Sequence, residues 1–122
     1  MNAGDTFLAP GYEDHLWMVI SDPVLDADHV VIVFFLTWQP HYDQSCIVQD
    51  GDHPFVKHAT CVNYPAAKVT TNSKLDENVA KGKLRMKAPL PKALLERIRK
   101  SAADSDIPSE PYDILRRQGF VP

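Results

Sequence analysis

The sequence predicts a mainly β fold closed by a C-terminal helix, in the form of a small, strongly bent sheet or barrel with that helix packed on it. Three observations predict it. Short apolar runs recur through residues 5–71 between clusters of Pro, Gly and Asp. One of them, Val30 to Leu36, is apolar on both faces and suits a central strand. Beyond Pro91 the apolar spacing changes to that of a helix, with Leu94, Leu95, Ile98 and Ala102 in one stripe.

Each element has a local reason. Asp5 to Ala9 is a first strand, closed by Pro10-Gly11, and Leu16 to Ser21 is a second. A turn-rich loop from Asp22 to Asp28 leads into the third strand, His29 to Thr37. Trp38 to Gln44 is an irregular loop, and Ser45 to Val48 is a fourth strand. Thr60 to Tyr64 and Ala67 to Thr71 are two further strand pieces, broken at Pro65. Asn72 to Ala80 reads as a polar loop or a short helical turn.

Lys81 to Lys87 alternates strictly. Lys81, Lys83, Arg85 and Lys87 point one way, while Gly82, Leu84 and Met86 point the other. This is the pattern of a half-buried strand with a basic outer face. Pro89 and Pro91 end it, and Pro91 suits the first turn of a helix running to about Ala103. A last helical turn, Tyr112 to Arg117, stops at Gly119. The 122 residues form one domain: strands over 4–88, a packed helix over 91–103, and an extension over 104–122.

Hydrophobic content of 44% and charged content of 24% are ordinary for a globular chain. No apolar run is long enough to cross a bilayer, and Met1 to Asp5 does not open a signal peptide. The two cysteines, Cys46 and Cys61, read as free thiols in a reducing cytosol, so a cytoplasmic protein is expected. The net charge of −3 conceals a split. Residues 1–60 hold one base against nine acids and residues 61–122 twelve bases against seven acids, giving −8 and +5. One face then repels nucleic acid and another attracts it, unless the split is a dipolar surface with no partner.

The segment Asp50 to His58 carries two imidazoles, two carboxylates and an ammonium within nine residues. Gly51 permits a turn there and Pro54 fixes the backbone. A connection this rich in titratable groups, held on a rigid scaffold, is a candidate site.

Several stretches resemble the MazF/PemK-like toxin family. Gly4-Asp5-Thr6-Phe7-Leu8 resembles its opening strand, Leu16 to Ser21 its second, and Val31 to Thr37 its third, which ends in a Leu-Thr pair. Cys61-Val62-Asn63-Tyr64 followed by Ala67-Lys68-Val69 resembles the approach to its next strand. Leu84 to Pro89 and the helix from Pro91 are similar to its closing strand and helix. The resemblance spans most of residues 4–103 and lies in order and spacing. It implies an SH3-like barrel, a homodimer, and the toxin of a toxin–antitoxin pair neutralised by an antitoxin protein. It implies an endoribonuclease that cuts single-stranded RNA with no metal and no cofactor. Thr37 matches the family's hydroxyl residue and Lys68 its basic strand residue. The stretch Pro10 to Leu16, where the family carries a catalytic Arg, contains His15 but no Arg.

Metal-free RNA cleavage needs a base for the 2′-hydroxyl, an acid for the leaving oxygen, and a cation or donor for the phosphorane. His53 and His58 are the candidate base and acid, with Thr37 positioning the phosphate and Lys57 or Lys68 meeting its charge. The plainer reading makes His53 a cap of the Gly-Asp turn and His58 a surface residue. Trp38 and Gln39 are candidates for RNA contact, and Phe55 and Tyr64 could also stack bases, whereas Trp17 reads as core. Lys81, Lys83, Arg85 and Lys87 either follow a phosphate backbone or protect an edge strand. A zinc site from His53, His58, Cys61 and Cys46 or His41 matches no common spacing. The alternative function is a catalytically silent barrel that binds a protein or nucleic-acid partner.

Overall fold

The third strand organises the fold. In a computed structural model, which describes residues 1–9, 15–42 and 44–122, the strand β3 spans His29–Thr37 and hydrogen-bonds along both edges. Its β-branched and aromatic run, Val30 to Phe35, is buried on both faces apart from a half-buried Phe34. The other strands are β1 (Thr6–Leu8), β2 (Leu16–Val19), β4 (Ile47–Val48), β5 (Thr60–Val62), β6 (Lys68–Thr71) and β7 (Arg85–Lys87). The helices are α1 (Asn72–Ala80), α2 (Lys92–Ser101) and α3 (Ser109–Arg117). Among the described residues no helix is long and apolar enough to cross a membrane.

Every strand pairing is antiparallel, in the order β4-β5-β3-β2-β1-β7, with β6 also on β3. Strands β5 and β6 share one edge of β3: Thr37 faces Thr60 at one end, and His29 faces Thr71 at the other. Between them the chain leaves the ladder for a short 3-10 turn over Tyr64–Ala66. The break expected at Pro65 is this turn. Tyr64 is buried there, and its hydroxyl donates to the Ile98 carbonyl of α2 at 2.7 Å. This buried bond ties the interrupted edge to the helix layer. The expected sheet with a late packed helix is present, but among the described residues β4 and β7 are free ends and no pairing closes a barrel.

The two faces of β3 feed two cores, as the period of two requires. Val31, Val33 and Phe35 join Leu16, Met18 and Ile20 under Leu94, Leu95 and Ile98 of α2 and Ile114 and Leu115 of α3. Val30 and Ile32 join Phe7, Trp17 and Val19 on the other face, where Leu75 of α1 covers them. The predicted stripe Leu94, Leu95, Ile98, Ala102 is the face α2 buries. Pro91 stands as its N-cap, and Ala102 to Asp104 continues it as a 3-10 turn.

Two expectations change. Asn72–Ala80 is a full helix, nucleated by Thr71, whose side chain accepts the Lys74 amide. The alternating stretch from Lys81 to Lys87 is a strand only over Arg85–Lys87. Lys81 and Gly82 end α1: Gly82, at φ +73°, donates to Val79 and Lys83 donates to Asn78. The helix stop consumes the first half of the alternation. Of the residues assigned to the inner face, Leu84 is partly buried, whereas Met86 is 41% exposed on the edge strand.

Candidate functional site

The C-terminal end of β3 lies between the first residues of β2 and of β5. Thr60 at the start of β5 faces Thr37, and on the other edge Trp17 faces Phe34. Continued two residues, that register brings His15 level with Leu36. A cavity of about 420 Å³ opens at this end. Thr37, Lys57, His58 and His15 supply its polar wall, and Phe35, Leu36 and Phe55 its apolar one.

The central contact is a hydrogen bond of 2.9 Å between Thr37 Oγ1 and His58 Nε2. It joins the last residue of β3 to the segment that precedes β5. Both side chains are exposed, so the pair is open to a ligand. The segment is held from below by its own bonds. The Thr60 hydroxyl donates to the His58 carbonyl at 2.9 Å, and the Trp38 amide donates to the Ala59 carbonyl at 3.0 Å.

His53 lies elsewhere. It is 3% exposed and does not line this cavity. Its Nδ1 accepts the Phe55 amide at 3.1 Å, which leaves the proton on Nε2, and Nε2 donates to the Ala88 carbonyl at 2.7 Å. Both nitrogens are therefore committed. This is the turn-capping arrangement, extended by a long-range tie to the end of β7. Asp52 accepts the Gln49 amide at 2.9 Å and pairs with Arg97 of α2 at 3.1 Å, fixing the start of the same segment. The Gln49 amide and then Arg97 hold its carboxyl below the ordinary 3.8. Asp52 therefore serves the scaffold, while Asp50 is exposed.

The remaining candidates are dispersed. Lys68 stands 5.5 Å over the Trp17 ring, outside the cavity wall. Trp38 is partly buried, with an indole N–H that has no partner among the described residues, and Gln39 is exposed. Tyr64 is core, as is Trp17. Lys83, Arg85 and Lys87 are exposed on and beside the edge strand, while Lys81 pairs with Glu77 at 2.6 Å. Cys46 and Cys61 are buried free thiols. No group of three His, Cys, Asp or Glu suited to a metal ion occurs among the described residues, so the considered zinc ligands do not converge.

The structure thus joins Thr37, Lys57 and His58 and adds His15, to which no role was given in the sequence. Its signal was positional. His15 sits two residues before Trp17, so the period of two puts both on one face, and its ring packs on Phe34 at 4.6 Å. Compared with protein-family models, with curated proteins and with solved structures, the chain matches none.

Proposed function

We propose that the chain cleaves single-stranded RNA, without a metal, in the cavity at the end of β3. The observation that carries the reading is the Thr37–His58 hydrogen bond, at 2.9 Å, in a cavity that also holds Lys57. An imidazole is suited to take the 2′-hydroxyl proton near neutral pH. Thr37 fixes which nitrogen faces the cavity, and its hydroxyl can donate to a phosphate oxygen. Lys57 meets the charge that grows on the phosphorane. Phe55, 38% exposed on the cavity wall, offers a face for a base.

The broader reading follows the resemblance: an SH3-like toxin of a toxin–antitoxin pair, a homodimer, held inactive by an antitoxin protein. The antiparallel order around one long β3, with the helix after Pro91 packed on it, supports that reading. A second reading, a silent module that binds RNA or protein, is favoured by one observation. Lys57 is the sole lysine or arginine on the cavity wall among the described residues.

Purified protein on a pool of single-stranded RNA separates the two. Cleavage that leaves 2′,3′-cyclic phosphate ends, persists in chelator and falls about a hundredfold in His58→Ala is expected. Binding without cleavage would move the case to the silent module.

A further inference from the structure

We infer that His15 is the second proton-transfer group of this cavity, the acid that protonates the leaving 5′-oxygen. The inference rests on the cleavage reading above and names a residue that reading leaves out. Cleavage by a single imidazole is incomplete. The proton taken from the 2′-hydroxyl and the proton given to the leaving oxygen belong to opposite sides of an in-line displacement, and one ring does not reach both at once.

His15 and His58 meet that requirement by their origins in the fold. His58 enters from the segment before β5, on one edge of β3. His15 enters from just before β2, on the other edge, and the two line the same cavity at the end of β3. The His15 ring is fixed from behind. It packs on Phe34 with centroids 4.6 Å apart, and Phe34 packs on Trp17 at the same spacing. Trp17 is 9% exposed, so this short aromatic row is anchored in the core. Among the described residues neither ring nitrogen of His15 has a hydrogen-bond partner, in contrast to both nitrogens of His53. A half-buried imidazole, braced by aromatic rings and with no partner among the described residues at its polar edge, suits proton transfer to a ligand. Among the described residues, Lys57 and His58 are the ionisable groups that line the cavity with it.

The step balances. The 2′-oxygen attacks phosphorus as its proton passes to His58, the bond from phosphorus to the 5′-oxygen breaks, and protonated His15 gives that oxygen its proton. The products are a 2′,3′-cyclic phosphate and a 5′-hydroxyl. Exchange with water then returns each imidazole to its starting state.

The test compares leaving groups. An aryl oxide leaves without protonation, so a uridine 3′-aryl phosphate needs the base but not the acid. His15→Ala and His15→Gln are assayed on RNA and on that ester, beside His58→Ala, after thermal unfolding confirms that each variant is folded. The expected result for both His15 variants is a loss of about a hundredfold or more on RNA and less than about tenfold on the aryl ester. His58→Ala is expected to lose activity on both. Equal losses of the His15 variants on the two substrates would make His15 structural, and undiminished RNA cleavage would remove it from the site. Either result overturns the inference while leaving RNA cleavage standing. A wild type that cuts neither substrate overturns both.

Discussion

His53 Nε2 donates to the Ala88 carbonyl oxygen at 2.7 Å, and the same oxygen accepts the Thr6 hydroxyl at 2.6 Å. One acceptor thus joins the segment before β5, the first strand and the end of β7. Because Thr6 faces Lys87 in the β1–β7 ladder, the oxygen lies just past the last paired residue. The contact clamps a long connection to an edge strand of only three residues. The chemistry assigned to His53 from the sequence needs a ring open to a ligand. The ring observed is shut in and used on both sides.

His53→Ala is therefore expected to act on stability. It deprives the Ala88 carbonyl oxygen of its second donor and leaves the Phe55 amide without its acceptor, at a cost of about 1–3 kcal/mol. His58→Ala removes an exposed partner and is expected to cost about 0.5 kcal/mol or less. Urea unfolding of the two variants and the wild type checks the order. A His58 variant less stable than the His53 variant would contradict it.

Acid should act through two carboxylates. Asp28 is lowered below the ordinary 3.8 by the Ser73 hydroxyl, which donates to it at 2.6 Å. Asp52 is lowered by the Gln49 amide and then by Arg97. A carboxyl whose folded value is depressed contributes stability above its unfolded value, and that contribution is lost as pH falls through the folded one. Asp28→Asn and Asp52→Asn should each be less stable than wild type at pH 7. The gap should shrink as pH falls below about 3.8. Denaturant midpoints at several pH values measure it, and a gap independent of pH would be the contrary result.

The sequence was most legible where one physical signal acted alone. The bounds of β3 follow from an apolar run with a histidine before it and a tryptophan after it. The α2 stripe follows from its period, and the α3 stop from Gly119, at φ +83°. Legibility failed where two signals shared residues. The strict alternation from Lys81 to Lys87 covers a helix stop followed by an edge strand, and α1, with Leu75 as its one buried side chain, lacks an apolar stripe. At the site, Lys57 and His58 were legible as chemistry-bearing residues in a connection, and Thr37 as the strand-end hydroxyl that the resemblance singled out. The roles of the two other histidines were not. Whether an imidazole meets a cavity or a carbonyl depends on long-range partners, here Phe34 for His15 and Ala88 for His53; spacing puts His15 on the face of Trp17 but does not name either partner.

The basic edge yields a salt prediction. Lys83, Arg85 and Lys87 are exposed, while Lys81 already faces Glu77. If RNA leaves the cavity along β7, three phosphate contacts imply a log–log salt slope of about −2. Replacing Lys83 and Arg85 by Ala should flatten it by about 1.4. Fluorescence titrations with single-stranded RNA between low and moderate salt read the slope directly. An unchanged slope in the double variant would leave the edge lysines as protection against strand pairing.

Thr37 offers the narrowest view of the site, because it is both the end of β3 and the partner of His58. Its hydroxyl meets Nε2 at 2.9 Å, and its backbone pairs with Thr60. Thr37→Val keeps the β-branched shape that the strand end favours and removes only the hydroxyl. Thr37→Ser keeps the hydroxyl but frees its rotation. An exposed hydrogen bond contributes about 0.5 kcal/mol or less, the low end of the usual range, so neither variant should unfold the chain. For RNA cleavage the consequence is larger, since a base displaced by about 1 Å can cost about a hundredfold. The expected order of turnover is wild type, then Ser, then Val, with Val down by about tenfold or more in kcat and little changed in KM. Nitrogen resonances of the His58 ring supply a readout independent of activity. They should change in the Val variant, which has lost the hydrogen bond, and stay close to wild type in the Ser variant. Full turnover in Thr37→Val would mean that the His58 ring finds its orientation without the hydroxyl, and Thr37 would then keep only its place in the strand.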